Sequence, residues 1–377
     1  MASRKAHPLV TAAVGGTMAC LGLIALDWVT SPRLVVSTIN AVDAPMLDGD
    51  ISDRVWADAT PVTVLTRHGG DFGGSGESRI VVRAVRDDQN VYFALQWEDP
   101  TRSLKHLPLV KANGGWHGLE TDTDRASEER FFDDRIAVML ASPGMPLIGG
   151  AIHLGERPLP DGPPSTTGRG LHFTDPGTWV DLWQWHAAVG AVSDRVEDGF
   201  VGEPLPPTEA QMAGEERYPG GLGIDDPEAP VLMSNIDPRF SGEGDSLEPR
   251  VLPRLASLNL GDVEPDAQFS DERNGIRSWA LRASFAVPHT EAVDDTLPDG
   301  TVIPGVFVDD SVAPGAHDVT ARGAWAGGHW ILEMKRSLDA GPMDLEISDG
   351  LMLWFAVFDH AQTRHTYHLR PLIMEMP

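Results

Sequence analysis

The chain has 377 residues, a formal net charge of −27, 30 prolines and 39 glycines. That charge repels nucleic-acid phosphates, so nucleic acid is excluded as a partner. The single cysteine, Cys20, excludes a disulfide framework and any cysteine-based zinc site.

Arg4, Lys5 and His7 precede an uncharged run from Pro8 to Leu26, which Asp27 ends. A basic start followed by an apolar stretch of bilayer-spanning length reads as a signal anchor, a transmembrane helix within residues 1–30. No small-x-small cleavage site follows it. The expectation is a single-pass protein of the cell membrane with the bulk of the chain on the periplasmic, extracytoplasmic side. Thr17-Met18-Ala19-Cys20 is a poor lipoprotein box.

Residues 31–43 read as a linker, and 44–377 as one β-sandwich. The Asp48-Gly49 pair signals a turn, and Ser52 is placed to cap a short helical turn carrying Val55 and Trp56. Asp48, Asp50, Asp53 and Asp58 fit no standard calcium-loop spacing, so turn and capping roles are expected. Strand-length apolar or alternating runs then recur at Arg79 to Val85, Asn90 to Trp97, Arg135 to Leu140, Trp279 to Ala286, Gly323 to Glu333 and Leu351 to Phe358. Polar residues 86–90 and the Gly327-Gly328 pair mark two hairpin turns. From about 194 to 271 the chain is rich in Pro, Gly, Asp and Glu without periodicity, and reads as a loop-rich insertion. The fold class expected is all-β, an antiparallel β-sandwich with long loop insertions and the N-terminal transmembrane helix.

Histidines follow apolar or glycine-rich runs at His153 and at His365, and between them lies Trp179-Val180-Asp181-Leu182-Trp183-Gln184-Trp185-His186. A haem needs two axial bases on opposite faces and apolar or aromatic walls. His153 and His365 are the candidate iron ligands, with His360 and His368 as rivals to the second. Trp183 and Trp185 share one strand face and read as pocket wall or core. His186 reads as a ligand or a propionate partner. With Cys20 the only cysteine, attachment would be non-covalent, as haem b.

Leu47-Asp48-Gly49-Asp50 through Trp56-Ala57-Asp58-Ala59, then Val91 to Trp97, resembles the opening of the family-9 carbohydrate-binding-module-like sandwich. Phe132 to Val138, Val180 to Trp185, Asp318 to Trp325 and Trp330 to Asp339 resemble the haem-binding domain of the ethylbenzene dehydrogenase γ-subunit family. The resemblance covers about residues 44 to 376, less the central insertion. It implies an exported electron-transfer subunit of a molybdenum-containing respiratory oxidoreductase, holding a b-type haem between Met and Lys ligands; Met145 and Lys335 are the candidates for that alternative pair, the lysine requiring a depressed pKa. Its partners would be an iron–sulfur subunit, a molybdopterin catalytic subunit and, through the N-terminal helix, the membrane. Some branches of the family carry a Cys-x-x-Cys-His attachment near Gly149 to His153; here Gly149 and Ile152 stand in place of the cysteines. The alternative is a carbohydrate-binding surface module without haem. No Gly-x-Ser-x-Gly elbow, His-Glu-x-x-His site or phosphate loop is present, so no catalytic site of the chain's own is expected.

Overall fold

Alternation of apolar and polar residues builds a strand with one buried face, and such strands recur along this chain. The computed structural model describes residues 31–119, 131–143, 145, 153–165, 170–189, 193–227, 230–236, 247–254, 279–311, 318–339, 341, 344–361 and 364–377. Thirteen strands form one hydrogen-bonded sheet. They are β1 (Arg33–Thr38), β2 (Val62–Thr66), β3 (Ser78–Arg86), β4 (Asn90–Glu98), β5 (Arg135–Ala141), β6 (Val180–His186) and β7 (Glu197–Val201). The remainder are β8 (Leu222–Ile224), β9 (Val319–Ala326), β10 (His329–Ser337), β11 (Met352–Phe358), β12 (Thr366–Tyr367) and β13 (Leu372–Glu375). Their spatial order is β8-β7-β6-β5-β11-β13-β1-β3-β4-β10-β9, with β2 beside β3 and β12 beside β11.

Two findings correct the expected fold class. The sheet is a mostly antiparallel half-barrel folded over on itself, and β1, in the segment read as a linker, is parallel to both of its neighbours. Its first half pairs with β13 (Arg33↔Ile373) and its second half with β3 (Val36↔Ala84), so β1 turns the corner between the two halves. Among the described residues, no helix is long and apolar enough to cross a membrane. The single-pass anchor, the membrane partner and the cell-membrane location lose their support. Residues 1–30, on which they rested, lie outside the described residues.

Both hairpin turns form. Asp87 accepts backbone N–H bonds from Gln89 (2.8 Å) and Asn90 (2.7 Å) at the β3–β4 turn. Gly327 and Gly328 take the positive φ values of 59° and 80° that the β9–β10 turn requires. The helical turn Arg54–Asp58 starts after Asp53 rather than Ser52, without a side-chain cap bond. Trp279 to Ala286 is broken by a 3₁₀ turn at Ala283–Phe285 instead of forming one strand.

The core lies between the halves. On β6, Trp183 and Trp185 point inward while Leu182 and Gln184 are half-exposed. Trp183 meets Phe93 edge-on at 6.1 Å, and Trp185 meets Trp97 at 6.1 Å and Trp330 at 5.2 Å. At about 25 cal/mol/Å² over roughly 200 Å², each buried indole contributes about 5 kcal/mol of transfer free energy. Gly323 on β9 lets Trp185 approach; a Cβ there would stand 2.4 Å from Trp185 Cζ2. The half-barrel is laced at its edges. Arg67 and Tyr367 exchange backbone hydrogen bonds, and Ala321 N–H donates to the Asp194 carbonyl at 2.7 Å.

Candidate metal centre

Four strand ends meet at one pole of the half-barrel. β4 leaves toward Asp99, β6 toward Ala187 and β11 toward Asp359, while β5 begins directly after Asp133 and Asp134. The register sets Arg135 opposite both His186 and Phe358, so residues flanking these strands are neighbours despite long sequence separations.

Asp133 is fully buried and stands between two imidazoles. His106 Nδ1 lies 2.8 Å from Oδ1 and His186 Nδ1 3.2 Å from Oδ2; Ala188 N–H also donates to Oδ2, at 3.1 Å. One ligand atom from each of His106, Asp133 and His186 lies within 4.8 Å of the others. The histidine side chains keep 16% and 13% of their surface exposed, so the cluster is reachable from solvent. Burial works to raise the Asp133 pKa, but His186 and His106 prevail and hold the carboxyl below the usual range. Burial pushes His186 below the ordinary imidazole range, against the pull of Asp133. Two imidazoles and one carboxylate suit zinc, copper, nickel or ferrous iron.

Beside this group, Asp99, Asp134 and Asp359 bring three fully buried carboxylates together. Asp359 accepts from Thr101 Oγ1, His360 Nδ1 and Phe72 N–H; Asp134 accepts from Trp330 Nε1, Ser103 N–H and His360 N–H. Burial and mutual repulsion push Asp99 and Asp134 well above the usual carboxylate range. Burial lowers the His360 pKa, but Asp359, Asp134 and Asp71 outweigh it and raise it above the ordinary imidazole value.

A third group, Asp181, Asp198 and Asp344, sits at the opposite pole. The buried Arg336 guanidinium lies 3.1 Å from Asp344 and 3.6 Å from Asp181, and 5.3 Å over the Trp183 ring. Burial raises Asp181 to about 7 despite Arg336. Burial and the neighbouring carboxylates raise Asp198 to about 9.

The residues expected from the sequence are dispersed. His153 is in the strand His153–Gly155, paired with Leu171–Phe173, and its Nε2 lies 3.2 Å from Asp175. That hairpin joins β7 and β8 through Gly221 and Gly202, at the Val201 end of the sheet. His365 adjoins β12 and packs on Phe358, ring centres 4.9 Å apart, at the other end of β11. The span Met352–Phe358 puts roughly 20 Å between those ends at about 3.3 Å per residue. His153 and His365 therefore do not fit one haem iron. Met145 packs on the outer face of one half with Met352 and Trp354. Lys335 stands on the outer face of the other, in a groove with Tyr92 and Asp318. Trp183 and Trp185 are core, and His368 Nε2 accepts from Phe355 N–H. His186 alone joins a liganding cluster. Its partners His106 and Asp133 went unsingled as ligands; no short motif spacing links three residues 27 and 53 positions apart.

These features define the class: an all-β domain whose liganding side chains gather at strand ends, with no catalytic site of its own recognised among the described residues. The chain belongs to the ethylbenzene dehydrogenase family, whose model matches residues 53–370. The family resemblance in the quoted segments is thus borne out. No curated protein matches the chain. Among solved structures it is similar to a family 9 carbohydrate-binding module from Caldicellulosiruptor kristjanssonii in complex with glucose. Identity is 7%, over 92% of this chain and 96% of that one, with a TM-score of 0.32. The cellotriose complex of such a module from the same organism gives 8% identity, 92% and 94% coverage, and a TM-score of 0.32.

The expectation of a haem b electron-transfer subunit is corrected by this geometry. The His/His pair is split between the ends of the sheet and the Met/Lys pair between its outer faces, while the space between the halves is filled by apolar side chains, Trp97, Trp183, Trp185 and Trp330 among them. The relay to iron–sulfur and molybdopterin subunits falls with it.

Proposed function

We propose that the chain is a non-catalytic binding module whose ligand chemistry resides in a divalent-cation centre formed by His106, Asp133 and His186. The observation behind this reading is the convergence of two imidazole nitrogens and a carboxylate oxygen within 4.8 Å at a partly exposed depth. Ligand atoms around a zinc-type ion stand about 3–4 Å apart, so a small contraction closes the site. Three protein donors leave a coordination position for an oxygen or nitrogen of the bound partner. Titrating the metal-stripped full chain with Co²⁺ tests it. Binding with a visible d–d spectrum that His106→Gln and His186→Gln each abolish is expected. Absence of binding at millimolar Co²⁺, or binding unchanged in both variants, refutes it.

Sugar binding without haem is the second reading, favoured by one surface feature. Tyr367 is 39% exposed and is flanked by His68 at 5.5 Å and His365 at 6.0 Å, giving a small aromatic patch on which a sugar ring can stack. The described tryptophans offer less: Trp179 and Trp325 are half-buried and the others buried. Glucose and cellotriose titrations of wild type and Tyr367→Ala decide this reading.

A further inference from the structure

The third carboxylate group lies far from the imidazole centre and is electrostatically incomplete. Asp181, on β6, is fully buried, and its Oδ1 has no hydrogen-bond partner among the described residues. Asp198, on β7 opposite Trp183 and so diagonal to Asp181, has neither oxygen hydrogen-bonded among the described residues. Asp344 comes from the loop after β10 and receives the Gly341 N–H at 2.8 Å. Arg336 is the one cation that contacts the group among the described ion pairs, and it faces Asp344 and Asp181 rather than Asp198. Asp225 and Asp318 add further negative charge around the rim. One guanidinium beside five carboxyl groups leaves a place for added positive charge, filled by protons or by a cation, in a partly desolvated setting where unpaired charge is costly.

The inward, unpaired Asp181 oxygen is the second observation, separate from the clustering of acids. It belongs to a side chain fixed by the strand and by Leu345 N–H, which donates to Oδ2 at 3.1 Å. That bond leaves Oδ1 as an anchored acceptor with no hydrogen-bond donor among the described residues. The donor set is all oxygen, with ligand atoms within 4.8 Å of one another, which suits a hard cation rather than the imidazole-seeking metals of the other pole.

We propose that Asp181, Asp198 and Asp344 bind a hard divalent cation of the calcium class. The ion joins the β6–β7 pair to the loop after β10, completing with water the coordination that three carboxylates begin. Its place beneath Arg336 and beside Trp183 makes the site optically addressable, because the Trp183 indole lies within energy-transfer reach of a lanthanide held there.

Terbium titration of the full-length, chelator-stripped chain tests this. Excitation of tryptophan is expected to produce sensitised Tb³⁺ emission that Ca²⁺ competes away, and Ca²⁺ alone is expected to raise the melting temperature. Asp198→Asn, at a half-buried position, is expected to weaken the apparent affinity by about tenfold or more. The His106→Gln/His186→Gln double variant leaves emission unchanged, separating this site from the one under Proposed function. No sensitised emission together with no calcium effect on melting overturns the proposal. So does emission that survives Asp198→Asn but is lost in Asp99→Asn, which would place the ion at the other pole beside Trp330. Should Asp198→Asn fail to fold, the calcium dependence of wild-type melting decides.

Discussion

Replacing Trp56 by phenylalanine removes one hydrogen bond and little else, so its cost can be worked from the structure. Glu333 is fully buried on β10, and its carboxylate accepts from Trp56 Nε1 at 2.7 Å and from the backbone N–H groups of Asp48 and Gly49 at 3.0 Å each. Burial raises the Glu333 pKa, and these donors oppose the rise. A hydrogen bond to a charged acceptor contributes about 1.5–3 kcal/mol. Loss of indole area beyond a phenyl ring, roughly 40 Å² at about 25 cal/mol/Å², adds about 1 kcal/mol. The expected loss is about 3 kcal/mol, read from urea unfolding at neutral pH as a lower midpoint with an unchanged slope. In a Glu333→Gln background the acceptor is neutral, and the same substitution should cost roughly 1 kcal/mol less. A loss below about 1 kcal/mol, or an equal loss in both backgrounds, would refute the assignment of that bond.

Acid should weaken the fold through His368, whose Nε2 accepts from Phe355 N–H at 2.9 Å and whose Nδ1 donates to the Arg370 carbonyl at 2.6 Å. Burial lowers its pKa to about 4 in the folded chain, so the unfolded chain binds more protons below the ordinary value near 6.5. Its contribution is complete above that value and is lost as pH falls toward 4, by about 3 kcal/mol; a pH series of urea unfolding should flatten over this window in His368→Gln. Gly323→Ala should cost about 1–3 kcal/mol and shift tryptophan fluorescence, because the new methyl meets the Trp185 ring; an unshifted spectrum with full stability would contradict the packing.

Local signals in this chain translate directly into structure. The 86–90 turn, the Gly327-Gly328 pair and the inward pairing of Trp183 with Trp185 all follow from residue type and period, and all are present. The Asp48-Gly49 turn and Trp56 were legible as a motif, but their common target, Glu333, was not, because 277 residues separate Trp56 from it. β1 was missed for a related reason: Arg33–Thr38 is short, and its parallel partners are remote in sequence. The metal-capable group failed on spacing. His106 sits in a loop, Asp133 precedes a strand and His186 ends one, so only the assembled register unites them. The histidines that did stand out by sequence context, His153 and His365, were separated by that same register.

The corner strand gives the fold a seam with an unusual timing. Leu34 and Val36 are both fully buried, yet one half of their strand rests on Ile373 and Met374, near the other end of the chain. Until residues 373–375 are in place to pair, the Arg33–Val35 half of the strand keeps an open backbone edge. Long-range parallel pairing of this kind is slow to nucleate and exposed to mispairing. Closure of this corner thus hangs on one distant partner, whereas the Asp194–Ala321 and Arg67–Tyr367 bonds hold the two leaves together independently of it.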